Sequence, residues 1–247
     1  MTNNKNGAVL WEGPSPVDGS PIVLIITGLA GKASANRKTG EMLQTWILRQ
    51  DMDPVVALMS GQDRAICGDC PMRGDHSKAR ACYVNVGQAP KSVYRCYARG
   101  GYAHVSPAEM GERIAGQAVR LGAYGDPGLV PLSVLQDLTR HARLWTGYTH
   151  QWRTITSAYS GLLMASAETV ADRRKARVLG YRVFQVVPRG TNLRDVKAME
   201  CASTRERNPL HCADCGACAG TRNGATPNAV DVVIIAHGTG AKYVPAI

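Results

Sequence analysis

A chain of 247 residues, 45% of them hydrophobic, is long enough to bury a sizeable core as one α/β domain or two small ones. Its formal charge of +10 favours anionic partners, such as nucleic acid or phosphorylated small molecules, without choosing between them. The longest apolar runs, Ile22–Ile26 and Val232–Ala236, fall far short of the roughly 20 residues a membrane-spanning helix needs.

Residues 1–20, rich in Gly, Pro, Asn and Ser, read as a loose N-terminal segment, with a single α/β metal-binding domain over 21–247. Met1–Gly7 is polar and carries no apolar signal-peptide stretch, which predicts a soluble, cytoplasmic protein. Apolar runs predict strands over 21–27 and 45–49, followed by a short helix over 53–60. Further on, 82–86 suits a strand and Pro90 opens a helix reaching about Arg99. Ser106, Pro107 and Glu109 mark a helix start, with Ser106 as cap and Pro107 in the first turn. A strand over 117–124 runs into the turn Gly125-Asp126-Pro127-Gly128. Leu132, Leu135, Leu138, Ala142 and Trp145 recur at helical spacing, and 147–152 and 162–166 read as strands. A basic helix over 168–179, with Arg173, Arg174, Lys175 and Arg177, stops at Gly180; its cations read as a solvated face that can also meet an anion. Strands over 181–187 and 230–236 complete the pattern. Strand–helix alternation of this kind predicts βαβ units and a parallel sheet, arranged as a partial or complete (β/α) barrel, TIM-barrel-like, with ligand chemistry at the C-terminal strand ends. Asp126 and His150 fall at such ends and are the candidate catalytic residues.

The eight cysteines fall in two bunches. Close Cys-x2-Cys spacings in a chain without an export signal point to metal ligation rather than disulfides. Cys212, Cys215 and Cys218 are spaced by two residues each, so one short loop can wrap three corners of a cuboidal cluster, and Cys201 can supply the fourth ligand. The small residues Ala213, Gly216 and Ala217 let backbone amides approach the sulfurs. This predicts a 4Fe-4S cluster; zinc is the alternative, although zinc sites more often use two separated knuckles. Cys67, Cys70 and Cys82 form a second candidate metal site. Its fourth ligand is open at this stage: His76 would complete a zinc site, Cys96 would complete an all-cysteine site, and a free corner would admit a substrate or partner.

Several motifs together resemble the bacteriophage gene-product-88 family. They are Asn36-x-Lys38-Thr39-Gly40-x-Met42, Cys67-Gly68-Asp69-Cys70-Pro71, Cys82-Tyr83-Val84-Asn85-Val86-Gly87-Gln88, Gly125-Asp126-Pro127, Gly147-Tyr148-Thr149-His150-Gln151-Trp152 and the closing cysteine run. The resemblance implies a phage protein acting in the cytoplasm of the infected host. A looser likeness to radical-SAM enzymes lies in the barrel-like alternation and the cysteine clusters, but their Cys-x3-Cys-x2-Cys loop is absent. The functional expectation is therefore a phage iron–sulfur protein with one or two clusters, carrying out redox or radical-type chemistry on a small or nucleotide-like ligand. The alternative is a zinc-stabilised basic module that binds nucleic acid or a host protein.

Overall fold

The apolar run Ile22–Ile26 leaves no polar face, and the strand it forms, β2 (Pro21–Thr27), has all five of these side chains buried. A computed structural model of the chain describes residues 4–31, 38–74, 79–221 and 230–244. β2 pairs antiparallel with β1 (Gly7–Pro14) on one side and with β3 (Met42–Arg49) on the other. After β3 come α1 (Pro54–Met59), α2 (Arg64–Cys67) and α3 (Ala89–Ala98). The short β4 (Ala103–His104), α4 (Pro107–Arg113), β5 (Ala118–Tyr124), α5 (Leu132–Thr139) and β6 (Leu144–Thr149) follow. The chain continues through β7 (Met164–Ser166), α6 (Val170–Val178), β8 (Val183–Val187), β9 (Met199–Glu200), α7 (Cys212–Cys215) and β10 (Val232–Ile235).

These strands form one ten-stranded sheet in the order β4-β1-β2-β3-β5-β6-β7-β8-β10-β9. From β3 onward every pairing is parallel. The expected α/β class and mostly parallel sheet are thus present. The hydrogen-bonded order runs from β4 to β9, and among the described residues no strand pairing joins these two ends.

Alternation along the strands separates two faces. Val119, Leu121 and Ala123 of β5 enter the main core together with Met110 and Ile114 of the α4 region and Leu135 and Leu138 of α5. Arg120 of β5, Tyr148 of β6, and Phe184 and Val186 of β8 line a cavity; at the end of β5, where Gly122 takes φ +73° and the register shifts, Ala123 and Tyr124 border both the core and the cavity. Ser106 caps α4 as expected, accepting from the Glu109 amide at 3.3 Å. Gly180 ends α6 at φ +83°.

Four expectations need correction. Residues 7–14 are not part of a loose segment: β1 is an outer partner of β2, and Ala8, Val9 and Leu10 are buried. Residues 82–86 form no strand; the segment runs as a loop, with the Val84 carbonyl held by Arg80 at 3.2 Å. The helix containing Leu132, Leu135 and Leu138 ends at Thr139, so Ala142 lies beyond it and Trp145 belongs to β6, its indole donating to the Leu162 carbonyl at 2.9 Å. The strand expected over 147–152 begins and ends earlier, because Gln151–Arg153 turns into a 3-10 helix.

Candidate metal centre

The first cysteine bunch is built beyond the C-terminal ends of the parallel strands. Asp63 N and Cys67 N open and close α2, the latter bonded to the Asp63 carbonyl at 3.0 Å, and Gly68 then reverses the chain at φ +56°. A Cβ on Gly68 would stand 2.3 Å from Oε1 of Gln151. Gln151 in turn donates to the Cys67 carbonyl at 3.1 Å. The Cys67–Cys70 knuckle is therefore moulded onto the residue that follows β6 and His150. Cys67, Cys70 and Cys82 all line the same cavity wall. Burial pushes the Cys67 thiol well up, and the charges of Cys70, Asp63 and Cys82 push in the same direction.

Asp126 and His150 stand where the sequence places them, after β5 and β6. Asp126 is buried, and both carboxylate oxygens are engaged: Oδ1 accepts from the Gly128 amide at 2.8 Å, and Oδ2 accepts from the His150 amide at 2.8 Å and from Gln151 Nε2 at 3.3 Å. It acts as a clamp between two strand ends. The His150 ring reaches the thiol site, with Nε2 3.8 Å from Cys70 Sγ and 2.8 Å from Glu168 Oε1. Burial opposes its protonation. Its contacts with Cys70 and Glu168 outweigh that effect and hold its pKa well above the usual histidine value. His150 is thus the neighbour of the first thiol site among the described residues. His76 lies outside them. Cys96 sits in α3, accepting from Asn4 Nδ2 at 3.5 Å and packed against the main core away from the cavity lining.

The second bunch gathers at the opposite end of the same sheet face. Cys212 N donates to the Lys38 carbonyl at 2.9 Å and Ala213 N to the Thr39 carbonyl at 3.1 Å. Ala213 packs with Met42, Ala118 and Leu144, the first residues of β3, β5 and β6. Gly216, left-handed at φ 60°, ends α7 and turns the loop so that the Cys218 carbonyl accepts from the Gly147 amide at 2.8 Å. Arg182 grips this loop, donating to the carbonyls of Ala219 (2.9 Å), Ala217 (3.0 Å) and Val230 (2.6 Å). All four of Cys201, Cys212, Cys215 and Cys218 line one small void.

Burial pushes the Cys212 thiol up to about 11; Cys201 and Cys215 add to this, while Arg120 opposes it. Burial also raises the Cys218 thiol, which accepts a hydrogen bond from Tyr148 and feels Cys201, Cys212 and Cys215. Cys212 and Cys218 thus resist ionising, and a cationic metal centre would relieve that, since metal replaces the thiol protons. Among the described residues, no three His, Cys, Asp or Glu side chains converge on one point as donors to a single metal ion.

The two bunches share one space. A cavity of about 510 Å³ has Cys67, Cys70 and Cys82 at one end and Cys201 and Cys212 at the other. Between them lie Tyr148 and Phe184, stacked at 4.2 Å, and the cations Lys38 and Arg120. Arg120 spans to the Tyr83 hydroxyl at 2.5 Å. Tyr83 packs on His237 at 5.3 Å, and Gly240 sits so close to the Ala81 carbonyl that a Cβ would stand 2.6 Å from it. Loop contacts, rather than a strand ladder, thus cover this side of the cavity.

The sequence reading did not single out Gln151, Arg120, Tyr124 or Arg182 for the site. The period-two pattern of β5 places Arg120 and Tyr124 on one face, but which face meets the cysteines depends on the strand order. The basic helix α6 is engaged within the chain: Arg173 Nε and Arg177 Nη2 pair with the buried Asp231 carboxylate at 2.9 and 2.5 Å. No described helix is long and apolar enough to cross a membrane. Set against known proteins, the chain matches no family model, no curated protein and no solved structure.

Proposed function

We propose that the chain is an iron–sulfur protein whose two thiol sets serve one ligand cavity. Cys201, Cys212, Cys215 and Cys218 would hold a 4Fe-4S cluster, and Cys67, Cys70 and Cys82 a second metal–sulfur group with one corner facing the cavity. The observation that carries this reading is the opening of both sets onto the same 510 Å³ space. When bound, a four-thiolate cluster supplies electron transfer, and a three-thiolate group adds a coordination position for a ligand.

The chain's own residues would do the rest. Tyr148 and Phe184 offer a flat apolar surface, and Arg120 and Lys38 a positive one; together they suit a small, anionic, nucleotide-like ligand. His150, held between Cys70 and Glu168, keeps a proton at Nε2 beside the first thiol site. Asp126 positions His150 through its backbone amide. Covering loops at Tyr83–His237 limit water, and the ten-stranded, mostly parallel sheet would correspond to a partial barrel. With the motif resemblance, this describes a phage-encoded redox protein working in the cytoplasm of the infected host. The zinc-stabilised nucleic-acid module draws on the net charge of +10, yet Arg173 and Arg177 of the basic helix are already committed to Asp231.

Anaerobic purification followed by iron, sulfide and zinc analysis tests the proposal. Brown protein with matching iron and sulfide supports it; colourless protein with stoichiometric zinc overturns it.

A further inference from the structure

Arg120 places a permanent cation near the middle of the sheet with no carboxylate beside it. It belongs to β5, and its neighbours across the ladder are Gln44 of β3 and Thr146 of β6. None of the strands β3, β5, β6, β7, β8 and β10 contains an aspartate or a glutamate. The guanidinium donates from Nη2 to the Tyr83 hydroxyl at 2.5 Å and from Nη1 to Gln44 Oε1 at 3.5 Å. Both partners are neutral, and among the described residues no carboxylate pairs with Arg120. A guanidinium stays charged at every ordinary pH, and withdrawing it from water without an anion is costly. The charge calls for a partner that the surrounding strands do not supply.

The neighbours of Arg120 add positive charge. Arg120, Lys38 and His237 line the same cavity. Tyr83 links two of them, since its hydroxyl accepts from Arg120 and its ring packs on His237 at 5.3 Å. Protonation of His237 is opposed first by burial and then by the charges of Lys38 and Arg189, so cations converge on this ring. Asp126, the one carboxylate among the described lining residues, is engaged by the Gly128 and His150 amides. Tyr83 is 50% exposed, so this end of the cavity lies at the rim, where an anion keeps part of its hydration.

We infer that Arg120, Lys38 and His237 form an anion subsite at the cavity rim that takes the phosphate group of a small phosphorylated ligand. The inference rests on the reading of this cavity as a ligand site and is independent of what the cysteines hold. Two fixed cations match a phosphate dianion better than a single carboxylate charge, and a guanidinium fork can meet two phosphate oxygens at once. A cavity of about 510 Å³ is of small-molecule size and leaves room for the rest of the ligand against Tyr148 and Phe184.

The test is equilibrium dialysis of the anaerobically purified full chain against radiolabelled inorganic phosphate, with iron measured in the same samples. One saturable phosphate per chain is expected. Arg120→Gln should weaken binding about tenfold, the size of a lost charge-assisted hydrogen bond, with iron unchanged. Lys38→Gln, a loop substitution outside the sheet, should weaken it about threefold and decides the question if Arg120→Gln does not fold. Arg140→Gln removes an exposed cation paired with Asp137 outside the cavity lining and should leave binding unmoved. Acetate should compete about tenfold less well than unlabelled phosphate. Absence of saturable phosphate binding, or equal weakening by all three substitutions, overturns the inference. Equal competition by acetate also overturns it and makes the subsite one for carboxylates. Lys38 stands within electrostatic reach of Cys201 and Cys212. Iron lost from Arg120→Gln or Lys38→Gln, with phosphate binding unmoved, would therefore assign these cations to the thiols and overturn the inference. Iron-free protein that binds one phosphate overturns the iron–sulfur reading and leaves this inference standing.

Discussion

Gly68 and Gln151 are in such close contact that a single added methyl would collide with the carboxamide: its Cβ would lie 2.3 Å from Oε1 and 2.6 Å from Nε2. The contact locks the Cys67–Cys70 knuckle to the strand end that carries His150. Gly68→Ala faces both this clash and a left-handed φ of +56°. It should cost about 1–3 kcal/mol and selectively deplete metal at the first site. Metal analysis alongside urea denaturation checks this. A variant with full metal content and unchanged stability would show that the knuckle adapts freely.

Arg182 plays the corresponding part for the second bunch, with one guanidinium bridging three loop carbonyls. Lysine keeps the charge but cannot span them, because an ammonium is a point donor where a guanidinium is a fork. Arg182→Lys should release iron to a chelator about 10-fold faster, a typical magnitude for losing support behind metal ligands. Release at the parental rate would mean the loop holds its shape without that support.

Asp231 accepts from Arg173, Arg177 and the Val183 amide while almost wholly buried. Removing its carboxylate strands a guanidinium and a backbone donor. Asp231→Ala should destabilise the protein by about 3–5 kcal/mol. A loss below about 1 kcal/mol in equilibrium unfolding would contradict this account of α6.

The stability of the metal-free protein should depend on pH through His150. Its folded pKa stands well above the ordinary value of about 6.5, burial being outweighed by Cys70 and Glu168. A raised pKa means the folded state holds the proton more tightly. The stabilisation is therefore fully present below pH about 6.5 and is lost as pH rises through the folded value. The melting-temperature gap between the parent and His150→Gln should narrow on that upward path. A gap independent of pH would place the partner charges elsewhere.

The regular elements were legible where the pattern was local. The apolar runs at 22–26 and 183–187 formed strands, and Ser106 capped its helix. β1 was obscured because its apolar residues sit in a Gly- and Pro-rich stretch and only gain meaning opposite β2. Residues 82–86 alternate like a strand but meet loops instead of a sheet edge. The α5 periodicity ran on to Trp145 because a strand continues the apolar pattern after the helix stops. At the site, the cysteine spacings announced two donor sets. Their shared cavity was not readable, since it depends on β5, β6, β8 and β10 presenting the same face. Arg120 and Tyr124 follow from that face and have no linear motif.

The most direct measurement is iron per chain in the anaerobically purified protein against its Cys212→Ser/Cys215→Ser variant. The account predicts that the variant stays folded and loses about four iron and the matching sulfide, the content of one 4Fe-4S cluster. Iron content identical in both proteins would contradict it.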